Sequence, residues 1–389
     1  MNKPKVALLI NVVPPHRVAV FERMAAALNL IILHGSMESN QINRGSVKEE
    51  AVEGARVQEV SGWQFLLNKG LRRNPIDKWF LHLEPGYIST LIRERPDAVI
   101  TYEMGFRTLV ALAYGTCFRK PVWVWWGGTT HTEAGAGRVR KLLRGLISRW
   151  AQRWISYGQT STEYLLTLGI PRIRILQVQN CVDETRYGFS AEPAFDVQPR
   201  PALLYVGQLI PRKGVAEFLR AAARLQQEGL VFSTVLVGGG CDSAMLQHLA
   251  ASLGLRHIHF HPARPPKDIP SVYRSGDVLI FPTMQDVWGL VANEAVLSGL
   301  RVLCSRYAGC APELFDPECI FDPADDEQFV AGLRRAVTGQ LPPADPSRLM
   351  PSSEIGKVIA DSVLAACADG PPREAGAMAK KVSIARNKN

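Results

Sequence analysis

Two open α/β domains, each a parallel sheet covered by helices on both faces, are what this sequence predicts. Three observations point there. Short, nearly continuous apolar runs alternate with helix-spaced segments along the chain, as expected of parallel strands buried on both faces and joined by crossover helices. The alternation lapses in the aperiodic, proline-containing stretch AEPAFDVQPRP (191–201) and then starts afresh. A length of 389 residues is long for one core and comfortable for two.

In the first half the predicted strands are VALLIN (6–11), LIILHG (30–35), DAVITYE (97–103), VWVWW (122–126), WISYG (154–158) and IRILQV (173–178), with helices such as VAVFERMAAAL and FRTLVALAYGTCF between them. The second half offers ALLYVG (202–207), FSTVLVG (232–238), HIHFH (257–261), DVLIFP (277–282) and RVLCS (301–305), with VAEFLRAAARLQQEG and SAMLQHLAASLG as helices. The expected organisation is a first doubly wound domain over 1–185, a linker over 186–200, a second domain over 201–370, and a basic, disordered tail over 371–389. Ligands of open α/β sheets bind beyond the carboxyl ends of the strands. Two such sheets facing one another place the chemistry in the cleft between them.

Composition narrows the class. Apolar residues make up 47% and charged residues 21%, as in a soluble globular protein. No apolar run approaches the ~18–20 residues of a membrane span. The N-terminal run VALLINVV stops at Pro14-Pro15 with no small-residue cleavage site after it, so it reads as a buried strand and not a signal peptide. Seven scattered cysteines, none spaced as CxxC, argue against a disulfide framework or zinc site and for a reducing cytoplasm. The net charge of +9 fits nucleic acid, an anionic membrane or anionic small substrates. Without zinc-finger spacing, an aromatic RNA-binding signature or a basic heptad region, nucleic acid is the weakest of these.

The chemistry-bearing stretch is PTMQDVWGLVANEAVLSG (282–299). It follows an apolar strand and turns into a helix that Gly299 stops. Gly289, Leu290 and Val291 then form the helix N-terminus at the carboxyl end of a strand, where free N–H groups and the helix dipole seat a phosphate. Glu294 lies about one and a half turns into the helix and Asp286 approaches from the other side. A ligand with a diphosphate in the middle and hydroxyl-rich groups at both ends suits this layout, which describes a nucleotide sugar. The competing reading is a solvated loop acid followed by a helix-surface acid.

DVWGLVANEAVLSGLRVLCS (286–305) resembles the donor-binding signature of retaining glycosyltransferase family 4, whose members adopt the GT-B fold: two Rossmann-like doubly wound domains facing across a cleft. LLYVGQLIPRKGVAEFLRAAARL, VLVGGG, PKDIPSVYRSGDVLIFPT, LGIPRIRILQVQNCVD and NVVPPHRVAVFERMAAAL extend the resemblance over most of residues 5–340. The resemblance implies that Glu294 accepts from ribose hydroxyls and Asp286 holds sugar hydroxyls. It implies that the N–H groups of Gly289, Leu290 and Val291 cradle the diphosphate, and that Lys213 neutralises charge growing on it. Gly207, Gln208 and Arg212 complete the donor side, with no metal ion and no cofactor beyond the nucleotide sugar. Two departures stand out. Gln208 occupies the place where the family usually has Arg, with Arg212 nearby to compensate, and Asp286 is one methylene shorter than the usual Glu.

The first half is less informative. His16 and Arg17, in the strand-to-helix loop NVVPPHR, read equally as contacts to acceptor or donor phosphate and as helix-start surface residues. Gly127, Gly128, Thr129 and His131 follow the strand VWVWW and line the expected cleft. Family members often have a His near the transferred sugar, which makes His131 a catalytic candidate beside Asp286 and Lys213. Glu103, Ser156, Tyr157 and Gly158 end strands on the same side. The segment RVRKLLRGLISRWAQRW is expected to put Leu142, Leu143, Leu146, Ile147, Trp150 and Trp154 on one face and arginines elsewhere. Such a helix (138–154) either packs on the sheet with solvated arginines or lies on an anionic membrane. The resemblance implies a sugar transferase using a UDP- or GDP-linked donor and a glycan or lipid-linked acceptor, cytoplasmic or peripheral on the inner membrane face, in polysaccharide or lipopolysaccharide assembly. The alternatives are a nucleotide-sugar epimerase of the same fold, a catalytically weak nucleotide-sugar-binding scaffold, and a peripheral membrane protein that acts through its charge alone.

Overall fold

The computed structural model describes residues 3–35, 52–67, 79–188 and 191–368. The expected tail at 371–389 lies outside them. The first domain contains β1 (Lys5–Ile10), β2 (Asn29–His34), β3 (Arg56–Glu59), β4 (Trp63–Leu67), β5 (Trp79–Leu83), β6 (Ala98–Tyr102), β7 (Val122–Trp126), β8 (Arg153–Tyr157) and β9 (Ile175–Val178). Seven of these form a parallel sheet in the order β3-β2-β1-β6-β7-β8-β9, while β4 and β5 pair antiparallel as a separate two-stranded sheet. The second domain contains β10 (Ala202–Val206), β11 (Ser233–Val237), β12 (Ile258–His261), β13 (Val278–Phe281), β14 (Arg301–Ser305) and β15 (Ile320–Phe321), in the order β12-β11-β10-β13-β14-β15. Both sheets step outward from a central first strand and then reverse, the doubly wound arrangement. The switch points fall between β1 and β6 and between β10 and β13, so Asn11, Glu103, Gly207 and the loop after Phe281 are where ligands are expected.

The central strands are buried along their whole length, which accounts for their continuous apolar sequence. β3, β4, β5 and β15 were not among the expected strands. β3 (RVQE) is half-exposed at the sheet edge and β15 has two residues, so neither carries the buried-strand pattern.

The expected bounds of the second domain differ from the structure at its end. The helix Ser352–Ala368 packs against the helix Val18–Ala27 of the first domain, with Ile355, Ile359 and Val363 in one core with Val20, Phe21 and Met24. Gly356 permits this close approach, since a Cβ there would strike the Val20 carbonyl and the Arg23 side chain. The expected linker also adheres to the second domain: Ala194 and Phe195 donate backbone N–H bonds to Ser271 O and Ser275 Oγ at 2.9 and 3.0 Å.

Candidate functional site

The second domain's site is built on three adjoining loops. After β10 the chain runs through Gly207 and Gln208 to a 3-10 turn, Pro211–Lys213, and into the helix Val215–Gln227. Gly214 joins them in the left-handed conformation (φ 67°), and a Cβ there would run into the Pro282 carbonyl. Only glycine meets both demands, and the result presses the 211–213 turn against the end of β13. Glycines also tie in the third loop, because side chains at Gly238 and Gly240 would collide with the carbonyls of Gly207 and Leu209.

Lys213 Nζ donates to Asp286 Oδ2 at 2.5 Å, with both side chains mostly buried. Arg212 Nη1 donates to the Gln285 carbonyl at 3.3 Å. Asp286 is held from several sides. Its N–H donates to Tyr307 O and its carbonyl accepts from Gly309 N, each at 3.2 Å. Its Oδ1 accepts from Trp288 N at 3.3 Å.

Gly289 then opens the helix Leu290–Leu297 at φ 104°, and a Cβ there would strike the Phe281 ring. No side chain caps this helix, so its N-terminus keeps the character of an anion seat. Glu294 accepts from Tyr187 Oη at 2.9 Å through Oε1 and from Tyr273 Oη at 2.6 Å through Oε2. Burial pushes its carboxyl pKa up, and the two phenol donors pull the other way. Each carboxylate oxygen has a second lone pair, so Glu294 can hold both tyrosines and still accept from a ligand diol.

The first-domain candidates fare differently. His131 donates from Nε2 to the Met284 carbonyl at 2.8 Å and stacks on Tyr307, centroids 4.3 Å apart. With the bond from Gln285 Nε2 to Thr132 O at 3.1 Å, it clasps the two domains across the cleft beside Asp286. Arg17 does not line the cleft, being 1% exposed and packed between the Trp125 and Tyr157 rings at 4.7 Å from each. His16 is half-buried in the 3-10 turn before the first helix. Thr129 is the N-cap of the short helix Thr130–Glu133 in a reciprocal capping box with Thr132. Gly127 and Gly128 are required by packing, since side chains there would meet Tyr157 and Trp126. Ser156 is buried and bonded to Thr162 at 2.7 Å.

Glu103 differs from these. It is a non-glycine residue in the left-handed region (φ 64°), and its side chain is 65% exposed at the carboxyl end of β6 and paired to Arg107 Nη2 at 2.9 Å. Strain of this kind concentrates at functional positions.

The basic helix also differs from expectation. It spans Arg138–Trp150 and Trp154 belongs to β8. Ile147 and Arg144 face the core, while Val139, Leu142 and Leu146 face outward at 83%, 74% and 50% exposure. Arg144 tolerates burial because its guanidinium donates to Met104 O (2.6 Å) and Glu133 Oε2 (3.2 Å) and lies over the Trp126 ring. An ion pair with extra hydrogen bonds offsets desolvation, which frees the helix to turn a leucine stripe outward.

Sequence reasoning missed Tyr187, Tyr273, Tyr307 and Glu313. Glu313 joins the domains, accepting from Gln159 N and from Gln179 Nε2. Nothing in the sequence marked them, because each meets its partner only through tertiary packing.

Comparison with known proteins agrees with this architecture. Residues 193–350 match the family model described as glycosyl transferases group 1. The chain is 32% identical over 180 residues to a D-inositol 3-phosphate glycosyltransferase of Nocardia farcinica, covering 43% of this chain and 40% of that one. It is 36% identical over 141 residues to the lipopolysaccharide glucosyltransferase WaaG of Escherichia coli, covering 35% of this chain and 37% of that one. These matches thus span about two-fifths of the relatives' own length. The Anabaena protein Alr3699/HepE, solved in complex with UDP and glucose, superposes with a TM-score of 0.61 at 15% identity over 98% of this chain and 99% of its own. The fold is GT-B, and residues 193–350 are similar to the glycosyl transferases group 1.

Proposed function

We propose that this protein is a retaining glycosyltransferase of family 4 that moves a sugar from a UDP- or GDP-linked donor to a glycan or lipid-linked acceptor. The observation that carries the reading is the grouping of Lys213, Asp286 and Glu294 around an uncapped helix N-terminus at the second sheet's switch point. Glu294 takes the ribose diol, and the N–H groups of Leu290 and Val291 take the diphosphate. Lys213 and Arg212 neutralise the charge that grows as the glycosidic bond breaks, the electrostatic stabilisation such a reaction requires, and no resident metal ion has a part. Asp286 orients the sugar. His131, by clasping Met284 and Tyr307, closes the first domain over it and excludes water, while Glu103 faces the acceptor.

Relatives named for lipopolysaccharide and inositol phosphate substrates support an acceptor on a membrane glycolipid or a small polyol. The outward stripe Val139-Leu142-Leu146, flanked by Arg138, Lys141 and Arg149, supports peripheral docking on an anionic inner membrane face. No helix among the described residues is long and apolar enough to cross a membrane. A second reading, a weakly active binding subunit, rests on the neutral Gln208. Supplying UDP- and GDP-sugars with and without membrane glycolipid distinguishes them. Acceptor-dependent release of nucleoside diphosphate supports transfer, binding without release favours the scaffold, and a free epimerised sugar favours an epimerase.

A further inference from the structure

The donor-side cation and the donor-side acid are each other's partner. Lys213 Nζ sits 2.5 Å from Asp286 Oδ2, and the two side chains are 14% and 18% exposed. Asp286 is the fixed member, because its backbone is bonded to Tyr307 and Gly309 and its Oδ1 to Trp288 N. Its Oδ2 faces the lysine. At this burial, either charge stripped of its partner is costly. A diphosphate that draws Lys213 away therefore strands a carboxylate, unless something else satisfies Asp286.

An intact nucleotide sugar does satisfy it, since phosphate takes the ammonium while a sugar hydroxyl donates to the carboxylate. A bare nucleoside diphosphate supplies only the first half. We propose that Asp286 competes with the diphosphate for Lys213, so that the site binds the nucleotide sugar and sheds the nucleoside diphosphate once the sugar has left. This rests on the reading of Lys213 as a diphosphate contact. It gives the ion pair a role in product release that is separate from the orientation of the sugar.

The test is calorimetric titration of UDP and of GDP into the full chain and into Asp286→Asn, Lys213→Met and the double variant. Asparagine keeps an oxygen for Trp288 N–H, and Asp286→Ala serves as a second removal of the carboxylate should Asp286→Asn fold poorly. The expected result is that loss of the carboxylate tightens nucleoside diphosphate binding about 3- to 10-fold, more than an exposed ion pair would give and less than a fully buried one. In the Lys213→Met background the same change should do nothing. Unchanged or weaker binding by both Asp286 variants, with Lys213→Met still weakening it, overturns the competition and leaves the donor site standing. If Lys213→Met binds as the parent does, or the parent binds neither nucleotide, the reading beneath the proposal falls as well.

Discussion

Glu294 bears the greatest weight of any single residue. Its two tyrosine donors hold the carboxylate in place while burial raises its pKa. A carboxyl whose folded pKa is raised binds its proton more readily in the folded state. Stability therefore falls as pH climbs from the unfolded value near 4.3 through the raised folded one, and stays lower above it. Glu294→Gln lacks that fall, so it should unfold at a higher urea midpoint than the parent at pH 8, with the gap closing below pH 4. The same change should weaken nucleotide binding, and Glu294→Ala should cost about 3–6 kcal/mol of it, the worth of two hydrogen bonds to a charged acceptor. Titration with UDP and GDP checks both. Glu294 was legible because a helix start after an apolar strand fixes where its side chain falls. Tyr187 and Tyr273 were not, because a phenol finds its acceptor only through tertiary packing.

At the scale of elements, short glycine-dependent turns aim the site. Gly214→Ala places a Cβ against the Pro282 carbonyl in a left-handed conformation, and should destabilise the fold by about 1–3 kcal/mol. Because Lys213 precedes it, nucleotide affinity should fall too, as chemical denaturation and titration on one sample would show. The helix Arg138–Trp150 makes the opposite point about legibility. Its amphipathic spacing was plain in the sequence, but the buried face was misjudged, because the Glu133 and Trp126 partners that allow Arg144 inside lie on other elements and meet it only through tertiary packing. Leu142→Ser with Leu146→Ser should leave the fold intact and lower sedimentation with anionic phospholipid vesicles. Equal sedimentation of parent and variant, or no dependence on anionic lipid and salt, would remove the membrane role.

Across the whole molecule, the two sheets were legible because buried parallel strands write a continuous apolar code. The way the chain ties them together was not. The helix Ser352–Ala368 follows the second sheet yet completes the first domain's core, and its apolar face carries no address in the sequence. Ending the chain before Ser352 should expose Val20, Phe21 and Met24 and lower the first domain's thermal midpoint, while the second domain keeps its nucleotide affinity. His131, Gln285 and Glu313 hold the two sheets together around the site. His131→Ala should therefore reduce turnover more than nucleotide affinity, which steady-state kinetics and titration would separate.

The most direct measurement follows nucleoside diphosphate release from UDP- and GDP-sugars, with and without a membrane glycolipid acceptor, in the parent and in Glu294→Ala. The expected result is release from one donor that rises with acceptor, yields a glycosylated product by mass spectrometry, and is lost in the variant. Acceptor-dependent release that Glu294→Ala leaves untouched, or no binding of any nucleotide sugar, would contradict it.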